Sequence, residues 1–426
     1  MDIDNKTFAK IQQLLKFTWN NHNSSFYRSK YQKAGIKSYL DIKSPRDFLK
    51  LPALTKQELI NTSPWQRLYL DKSKIEVVEV TSGTTGGRYP ITLFRSGIPP
   101  LQLEQFIKKA VELKINTFLF LLPALPGQAR LLRYCYSLRR YGINCFLGDI
   151  QNLSLTAKIM AQVKGDAIVT TPSILYYFLP VLKKEYNPLK IKYITLGGEY
   201  CSQQKAALLQ KSFPNACFRF IYGSAETGQT AYRCQYMEHL PVRFFHPLPI
   251  FFFETADQKE EGEAILTYLI KNTAFPLIRY LTGDFIKLTT KHCRCGNNQL
   301  LEVFGKLEYE VSKVAGTMIY AQVVYKTLAP FEKNLASSDF RLHLFEIRSS
   351  DKLQIKLILQ LIPKDQVSDK DKLKSEIAKH VSQNLYLSPS KTLSALVEKE
   401  VFLPLEVKFV RSFPNEGKKK HIISHI

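Results

Sequence analysis

The chain lacks an apolar segment long enough to span a bilayer. Its longest such segment, residues 117–126, falls well short of the roughly 20 apolar residues that a transmembrane helix needs. Residues 1–10 are polar and charged, so the start of the chain also lacks the apolar core of a secretory signal. These absences predict a soluble, cytoplasmic protein and argue against an integral membrane protein.

Cysteine is scarce, with seven residues among 426, and the chain shows no internal repeat, heptad array or low-complexity tract. Disulfide scaffolds concentrate cysteine in short secreted chains, so this class is excluded. Four of the cysteines lie in apolar contexts and are predicted to be core residues: Cys135, Cys145, Cys201 and Cys217.

Acidic residues are outnumbered: 60 Lys and Arg oppose 37 Asp and Glu, which gives a formal charge of +23. Such an excess invites a nucleic-acid interpretation. The basic residues are scattered, however, and no basic stripe interleaved with aromatic residues appears. We therefore expect no stable nucleic-acid partner. The alternative is a protein of a different class, a basic protein that binds nucleotides or nucleic acid.

Composition and periodicity predict an α/β protein of at least two domains. Apolar runs of strand length alternate with helical patterns through residues 1–304, which favours partly parallel sheets flanked by helices. The strand-like runs are 143–147, 167–170, 193–196 and 218–222, and the helical ones are 101–113, 174–184 and 203–211.

The pattern changes in residues 305–426, which predict a small α+β domain. Segments 340–347 and 353–362 alternate apolar and polar residues around a polar turn and indicate a hairpin. Residues 371–385 place four apolar side chains on one helical face, and 405–410 form a last strand.

A run of hydroxyl and glycine residues follows the strand-like residues 77–80. Glycine lets backbone N–H groups approach an anion closely, and hydroxyls add uncharged donors, so the run predicts a phosphate-binding loop. No lysine follows its last glycine, which separates it from the common nucleotide-binding loop. A mobile surface loop is the alternative. The candidate residues are Thr81, Ser82, Gly83, Thr84, Thr85 and Gly86.

Two further segments carry a carboxylate beside a glycine. In the first, Tyr222 and Gly223 precede Glu226; an aromatic ring can stack a purine, and a carboxylate can hold Mg²⁺. In the second, Asp284 follows Gly283, and an ionised carboxylate can accept two hydrogen bonds from a ribose diol. The alternatives are a buried tyrosine with a solvated glutamate, and an ordinary hairpin turn.

In this order, these segments and the Glu-Gly-Lys tail ending at Lys418 resemble the adenylate-forming superfamily of acyl-CoA synthetases, adenylation domains and luciferases. The phenylacetate-CoA ligase branch is the most similar. The resemblance covers nearly the whole chain, because residues 27–30, 51–56, 166–173 and 195–199 also match, the last with Gly198 and Glu199.

The resemblance implies that a carboxylate attacks the α-phosphate of Mg-ATP and that a thiol then displaces AMP. The 81–87 loop would bind the β- and γ-phosphates, and Tyr222 would flank the adenine. Glu226 would hold the Mg²⁺, and Asp284 would bind the ribose hydroxyls. Lys418 matches the catalytic lysine, carried on a mobile C-terminal lid. Lys306 stands where the superfamily often has arginine, and lysine lacks the planar fork of that side chain.

The resemblance also implies the partners. The substrate is a small carboxylic acid, with an aryl or arylacetic acid favoured and a fatty acid second. CoA is the favoured acceptor, and an acidic acyl carrier protein is the alternative, since complementary charge steers association. Either a monomer or a homodimer is compatible with the sequence.

A second group of candidate site residues consists of cysteines and a histidine. Cys293 and Cys295 are one residue apart in a polar loop, and Cys234 and His246 lie upstream. Three thiolates and one imidazole would complete a closed tetrahedral zinc site of structural type. His239 is an alternative to His246, and unliganded cysteines are the alternative to zinc.

Overall fold

The computed structural model describes residues 3–81, 91–96, 100–122, 124–198, 201, 203–306, 311–314, 317–349, 352–388, 391–413 and 421–426. The chain divides into two compact units, Met1–Gly305 and Lys306–Ile426. Both combine helices and strands, so the predicted α/β class is confirmed.

The first unit contains helices and strands in alternation along its central part. Its helices are α1 (Asn5–Trp19), α2 (Phe26–Lys33), α3 (Pro45–Leu49), α4 (Lys56–Asn61), α5 (Pro100–Glu112), α6 (Ala124–Arg139), α7 (Leu153–Gln162), α8 (Pro172–Glu185) and α9 (Gln203–Ser212). Its strands are β1 (Val77–Val80), β2 (Thr92–Arg95), β3 (Thr117–Leu121), β4 (Asn144–Leu147), β5 (Ala167–Thr170), β6 (Tyr193–Leu196), β7 (Cys217–Ser224), β8 (Gly228–Tyr232), β9 (Phe244–Pro247), β10 (Phe251–Thr255), β11 (Glu261–Tyr268), β12 (Tyr280–Thr290) and β13 (Gln299–Lys306).

One large sheet organises this unit. Within the described residues its strand order is β10-β11-β12-β13-β9-β8-β7-β6-β5-β3-β4. Strands β3 to β7 run parallel to one another, and β7, β8 and β9 are antiparallel. The parallel half is buried on both faces because helices cover each side, which is why its strands are continuous apolar runs.

The two faces of the parallel half pack against different helices. On one face, Ile168 and Ile194 contribute to a core shared with Phe178 of α8. On the other, Phe118 and Tyr193 pack with Phe106 of α5. Alternate residues of one strand therefore serve separate cores, as the period of two requires.

The N-terminal helices attach to the start of β12. Tyr27 donates its hydroxyl to the Pro276 carbonyl at 2.8 Å and accepts from the Ile278 N–H at 2.9 Å. Further along, Leu54 N–H donates to the Arg279 carbonyl at 2.8 Å. The Leu54 bond places residues 51–56 beside β12, and α4 begins there because the Thr55 side chain accepts from the Glu58 N–H.

The second unit is α+β. Its helices are α10 (Ala321–Leu328), α11 (Lys370–Asn384) and α12 (Leu393–Glu398), and its strands are β14 (Val311–Val314), β15 (Thr317–Tyr320), β16 (Leu335–Ser349), β17 (Lys352–Pro363), β18 (Tyr386–Ser388), β19 (Lys391–Thr392), β20 (Glu406–Phe409) and β21 (Ile422–Ser424). The predicted hairpin is β16–β17, and the predicted helix is α11, whose buried residues Leu373, Ile377 and Val381 face the core of this unit.

Two further observations bear on the expectations from sequence. Cys135 of α6 and Cys145 of β4 form a disulfide, with Cα atoms 5.9 Å apart. Their sulfur atoms are therefore paired and not free thiols, because the packing of α6 on β4 brings them within bonding range. As predicted, the side chains of all four cysteines pack in or against the apolar cores. Throughout the described ranges, the helices lack the combination of length and apolar composition that crossing a membrane demands.

Candidate functional site

The C-terminal end of β7 and the irregular part of β12 bring Tyr222 and Asp284 together. The Tyr222 hydroxyl donates to Asp284 Oδ2 at 2.7 Å, although 62 residues separate the two. Burial and the Asp284 carboxylate hold the pKa of this phenol well above its usual range, so it stays a donor. Asp284 is buried, while the Tyr222 ring keeps a partly exposed surface. An aromatic surface thus lies beside a carboxylate, as purine and ribose recognition require.

Both segments are strand irregularities rather than the turns expected from sequence. Pairing of β7 with β8 shifts between Tyr222 and Gly223, and a Cβ on Gly223 would lie 1.9 Å from the Gly228 carbonyl oxygen. Gly283 has φ of 76° within the continuous strand β12, where the pairing with β11 is also shifted. Such bulges re-aim side chains while keeping the strand paired.

Glu226 occupies the connection between β7 and β8. Its side chain is 8% exposed, and Oε1 lies 3.9 Å from Lys56 Nζ at the start of α4. The turn is closed by Ser224 and Thr227, whose hydroxyl oxygens are 3.1 Å apart. The turn therefore places a carboxylate next to a cation, at the same end of β7 as Tyr222. We call Tyr222, Glu226 and Asp284 the strand-end group.

Arg95 clamps the backbone of that turn. Its guanidinium donates to the Glu226 carbonyl at 2.9 Å and to the Ala225 carbonyl. Arg95 Nε also donates at 2.9 Å to the buried carboxylate of Glu79, across the β1–β2 hairpin. The two strands that flank the predicted phosphate loop are thus tied directly to the turn that carries Glu226.

Thr81 is buried at the entrance of the predicted phosphate loop. Its N–H donates to the Ile91 carbonyl at 3.0 Å, and its hydroxyl accepts from the Ile91 N–H at 2.9 Å. These bonds continue the β1–β2 pairing by one residue. The Thr81 side chain therefore closes the base of the loop in this structure.

Gly198 lies two residues after the end of β6 and has φ of 83°, a left-handed conformation that favours glycine. The other predicted residues of the nucleotide site lie outside the described residues, and their roles stay predictions: Ser82, Gly83, Thr84, Thr85, Gly86, Glu199 and Lys418. Lys306 is the last residue of β13, and its role likewise stays a prediction.

The four predicted metal ligands converge on one point. Ligand atoms of Cys234, His246, Cys293 and Cys295 all lie within 4.8 Å of one another, and the sulfur atoms of Cys234 and Cys293 are 3.6 Å apart. We call these four residues the thiol cluster. His239, the alternative ligand from sequence, does not belong to it.

The chemistry of the donor set fits zinc. The Gln299 carbonyl lies 2.7 Å from Nδ1 of His246, which orients the ring and leaves Nε2, a buried atom without a hydrogen-bond partner among the described residues. Burial raises the pKa of Cys234 to about 12. For Cys293, burial is outweighed by hydrogen bonds, above all from the backbone N–H of Cys295, which lower its pKa to about 6.

Sequence reasoning missed two cations that contact Glu226 or its turn, Lys56 and Arg95. Lys56 belongs to the matched segment 51–56, but nothing in that segment indicates a contact 170 residues away in sequence. Arg95 ends an ordinary strand, and only the pairing of β1 with β2 and the position of the β7–β8 turn show its role. The sequence did offer one sign of a missing cation. Glu79 lies within the apolar run 77–80, and a carboxylate buried in such a strand needs a charged partner.

Comparison with known proteins identifies the fold. No protein-family model and no curated protein sequence matches the chain. Among solved structures, 2-hydroxyisobutyryl-CoA ligase in complex with 2-HIB-AMP and CoA, in the thioesterification state, is 18% identical with a TM-score of 0.65, covering 99% of this chain and 89% of that one. An open conformation of the same ligase with the same two ligands is 16% identical with a TM-score of 0.60, covering 99% and 91%. The likeness shows that this chain has the fold of that ligase.

Proposed function

We propose that this chain, which has the fold of an adenylate-forming CoA ligase, activates a carboxylic acid with ATP and transfers the acyl group to a thiol. The acid oxygen attacks the α-phosphate, which releases pyrophosphate and forms an acyl adenylate. A thiolate then attacks the acyl carbon and AMP leaves. The observation that carries the proposal is the hydrogen bond between Tyr222 and Asp284 at the strand ends, beside the turn that holds Glu226.

The residues of the strand-end group have separable roles in this proposal. The Tyr222 ring flanks the adenine, and its hydroxyl orients Asp284 to accept from the ribose diol. Glu226 would hold Mg²⁺, which supplies charge neutralisation at the phosphates when bound. Lys56 adds a positive charge beside Glu226, and the Arg95 clamp keeps the turn in place.

Charge that develops on the α-phosphate needs a cation in the transition state, and we assign this role to Lys418. The unit Lys306–Ile426 would then act as the mobile lid domain, and Met1–Gly305 as the adenylate-forming domain. Lys306 would contact the nucleotide more weakly than an arginine. These assignments rest on the resemblance of the sequence.

CoA is the acceptor that we propose, since the solved ligase with the same fold binds CoA. An aryl or arylacetic acid follows from the resemblance to phenylacetate-CoA ligases, and the solved ligase shows that the fold also serves a small hydroxy acid. An acidic carrier protein is the second candidate acceptor, favoured by the charge of +23.

We also propose that the thiol cluster holds one structural zinc ion. Cys234, Cys293, Cys295 and Nε2 of His246 supply four ligands, and Gln299 orients the imidazole from the outer side, as metal-bound histidines require. Such a site would tie the loop after β8 to the loop between β12 and β13.

Carboxylate-dependent exchange of pyrophosphate into ATP tests the proposed function, with a panel of aryl, fatty and hydroxy acids. We expect exchange with at least one acid, and release of AMP when CoA is added. Lys418→Ala should lower exchange by about 10²- to 10³-fold, the scale of losing one preorganised charge, whereas Lys419→Ala and Lys420→Ala should not. Absence of exchange together with salt-sensitive nucleic-acid binding would favour the alternative class.

A further inference from the structure

The parallel strands of the large sheet begin together at one edge. Strands β3 to β7 start within one residue of register there. Because β7 starts at Cys217, Tyr222 of the strand-end group lies about 17 Å from this edge. The stretches that lead into the five strands, with the last turns of the helices before them, make up what we call the basic edge. They are residues 108–116, 139–143, 163–166, 183–192 and 211–216.

Hydrogen bonds tie neighbouring stretches of the basic edge together. The buried carboxylate of Asp166 accepts from the N–H groups of Asn116 and Thr117, each at 3.0 Å, and from Lys192 Nζ at 3.1 Å. Lys192 Nζ also donates to the Lys114 carbonyl at 3.1 Å. The stretches that lead into β3, β5 and β6 are therefore in direct contact and form one surface.

The charge of this surface is strongly positive. The basic edge contains eleven Lys and Arg residues but only three Asp and Glu residues. Two of the three acids already have cationic partners: Asp166 pairs with Lys192, and Glu112 Oε1 lies 2.6 Å from Lys109 Nζ. Most of the positive charge is therefore available to an anionic partner.

Two lysines of the basic edge occupy positions that usually favour glycine. Lys114 and Lys164 follow the ends of α5 and α7, and each has φ of 51°, a left-handed conformation that is strained for a side-chain-bearing residue. At the equivalent position after α6 the chain has Gly142, with φ of 69°. The helix dipole favours a cation near this end of a helix, but a lysine one turn earlier meets that preference without strain. The charge is thus placed at the edge despite a conformational cost.

Exposed apolar side chains accompany these cations. Each of the four stretches that lead into β3, β4, β5 and β6 exposes a large one, and helix dipoles do not explain this. Neighbouring strands are about 4.8 Å apart, so the four stretches follow one another along about 14 Å. Helices α5 and α6 pack on one face of the sheet, and α7 and α8 on the other, so the surface is broad and is not a groove. The exposed side chains are Val111, Tyr141, Val163 and Leu189, at 49%, 57%, 43% and 51%.

A broad surface with this combination of side chains suits an anionic lipid bilayer. Lysines pair with acidic headgroups, and the aliphatic side chains beside them enter the boundary between headgroups and acyl chains. Nucleic acid would also pair with the cations, but it binds exposed side chains by stacking bases on aromatic rings. Val163 and Leu189 offer no such ring and would stay in water. The apolar component therefore favours a lipid surface over a nucleic acid.

We propose that the basic edge binds the surface of an anionic lipid bilayer, with Val111, Tyr141, Val163 and Leu189 inserted at the level of the headgroups. The protein then lies on the membrane without spanning it. Tyr222, at the other end of β7, faces away from the lipid. This inference goes beyond the proposed function and does not depend on it.

Vesicle flotation tests the electrostatic part of the proposal. We expect wild type to bind vesicles of phosphatidylcholine with about 30% phosphatidylserine, and not vesicles of phosphatidylcholine alone. Salt should weaken this binding, because it screens exposed charges. The double variant Lys164→Gln/Lys190→Gln should bind about 10- to 30-fold more weakly, since each lysine at an anionic surface contributes about fivefold.

The matched control removes the same charge elsewhere in the first unit. Lys259 and Lys271 are exposed near the two ends of β11, in the antiparallel half of the sheet. Lys259→Gln/Lys271→Gln should change the affinity for anionic vesicles by less than about twofold, because distant exposed charges are screened. All four lysines are solvent-exposed, so both double variants should keep the wild-type melting temperature.

A second pair of variants tests the apolar part. Leu189 and Leu155 are 51% and 49% exposed, but Leu155 lies in the first turn of α7, away from the basic edge. Leu189→Ser should weaken vesicle binding by about fivefold, and Leu155→Ser should leave it unchanged. Insertion is measured with brominated phosphatidylcholine in the same vesicles. It should quench the added fluorescence of Tyr141→Trp, and it should not quench that of Leu155→Trp.

Three results would overturn the proposal: no binding to the anionic vesicles, equal weakening by the two lysine pairs, or no quenching of Tyr141→Trp. Binding of duplex DNA or RNA by a wild type that ignores vesicles would assign the basic edge to nucleic acid instead. Vesicle binding is measured without ATP or acid. Failure of pyrophosphate exchange therefore counts against the proposed function alone, and failure of flotation counts against the basic edge alone.

Discussion

The strand-end group and the thiol cluster lie on neighbouring strands of one sheet, but their side chains are arranged in opposite ways. The four ligand atoms of the thiol cluster lie within 4.8 Å of one another, which leaves room for one ion and none for a substrate. Tyr222, Glu226 and Asp284 are instead held by contacts to their surroundings, with an aromatic ring still partly exposed. A closed set of donors serves stability, whereas an open set serves binding and chemistry.

The contacts that hold each group in place also differ between the two sites. In the thiol cluster, a single backbone carbonyl at Gln299 orients the imidazole. In the strand-end group, Arg95 and Lys56 bring charge from the β1–β2 hairpin and from α4. Variants of the strand-end group should therefore change activity at constant stability, and variants of the thiol cluster should change stability first.

The largest effect is expected for Glu226→Gln. Loss of the carboxylate should lower the rate of adenylate formation by roughly 10²-fold or more, which corresponds to about 3 kcal/mol of transition-state stabilisation. The melting temperature should stay within a degree or two of wild type. Single-turnover kinetics and calorimetry measure the two quantities. Glu238→Gln, an exposed acid in the next loop, is the control, and an equal loss there would contradict the assignment.

The second largest effect is expected for loss of zinc from the thiol cluster. Wild type should contain about one zinc per chain, and His246→Gln should lose it. Its melting temperature should fall by roughly 5–10 °C, because metal binding is coupled to folding and about 1 kcal/mol shifts a domain of this size by a few degrees. Elemental analysis and calorimetry check this. His239→Gln is the matched control, and metal-free wild type of unchanged stability would remove the proposal.

Arg95→Gln should have an intermediate effect. Without the clamp on the Ala225 and Glu226 carbonyls, the turn is less well placed, and we expect KM for Mg-ATP to rise by about 10- to 30-fold, as for loss of a charged hydrogen bond. Arg243→Gln removes a comparable Arg–Glu pair, with 2.6 Å between Arg243 Nε and Glu302 Oε1, at a more exposed position. If both variants behave alike, the clamp has no special role.

The smallest effect is expected for Tyr222→Phe. The ring remains and only the donor to Asp284 is lost, so KM for ATP should rise by about 3- to 10-fold with little change in kcat. Asp284→Asn supplies the comparison, because it removes the charge rather than the donor and should raise KM further. A larger loss in Tyr222→Phe than in Asp284→Asn would reverse the proposed order of the two residues.

Much of the first unit could be predicted from the sequence. The bounds of β5 and β6 are those expected, because short continuous apolar runs between polar turns suit strands buried on both faces. The hairpin of the second unit was equally clear from alternating residues. The local sequence pattern is sufficient to predict the bounds of an element when that element is regular and uniformly buried.

Irregular strands could not be predicted in this way. Residues 282–284 have the composition of a turn, yet β12 continues through them because its pairing with β11 shifts at that point. Gly223 likewise lies within β7. Whether a glycine ends a strand or forms a bulge depends on the neighbouring strand, which the local sequence does not contain.

The sequence by itself determined the order of elements, the candidate residues for phosphate, ribose and metal binding, and the change of pattern near residue 305. These are properties of local composition and period. Tertiary structure alone decided that Tyr222 meets Asp284, that Arg95 holds the Glu226 turn, that His246 rather than His239 faces the thiols, and that Cys135 meets Cys145. Each of these is a contact between distant segments, and its geometry is set by strand register and helix packing rather than by the residues themselves.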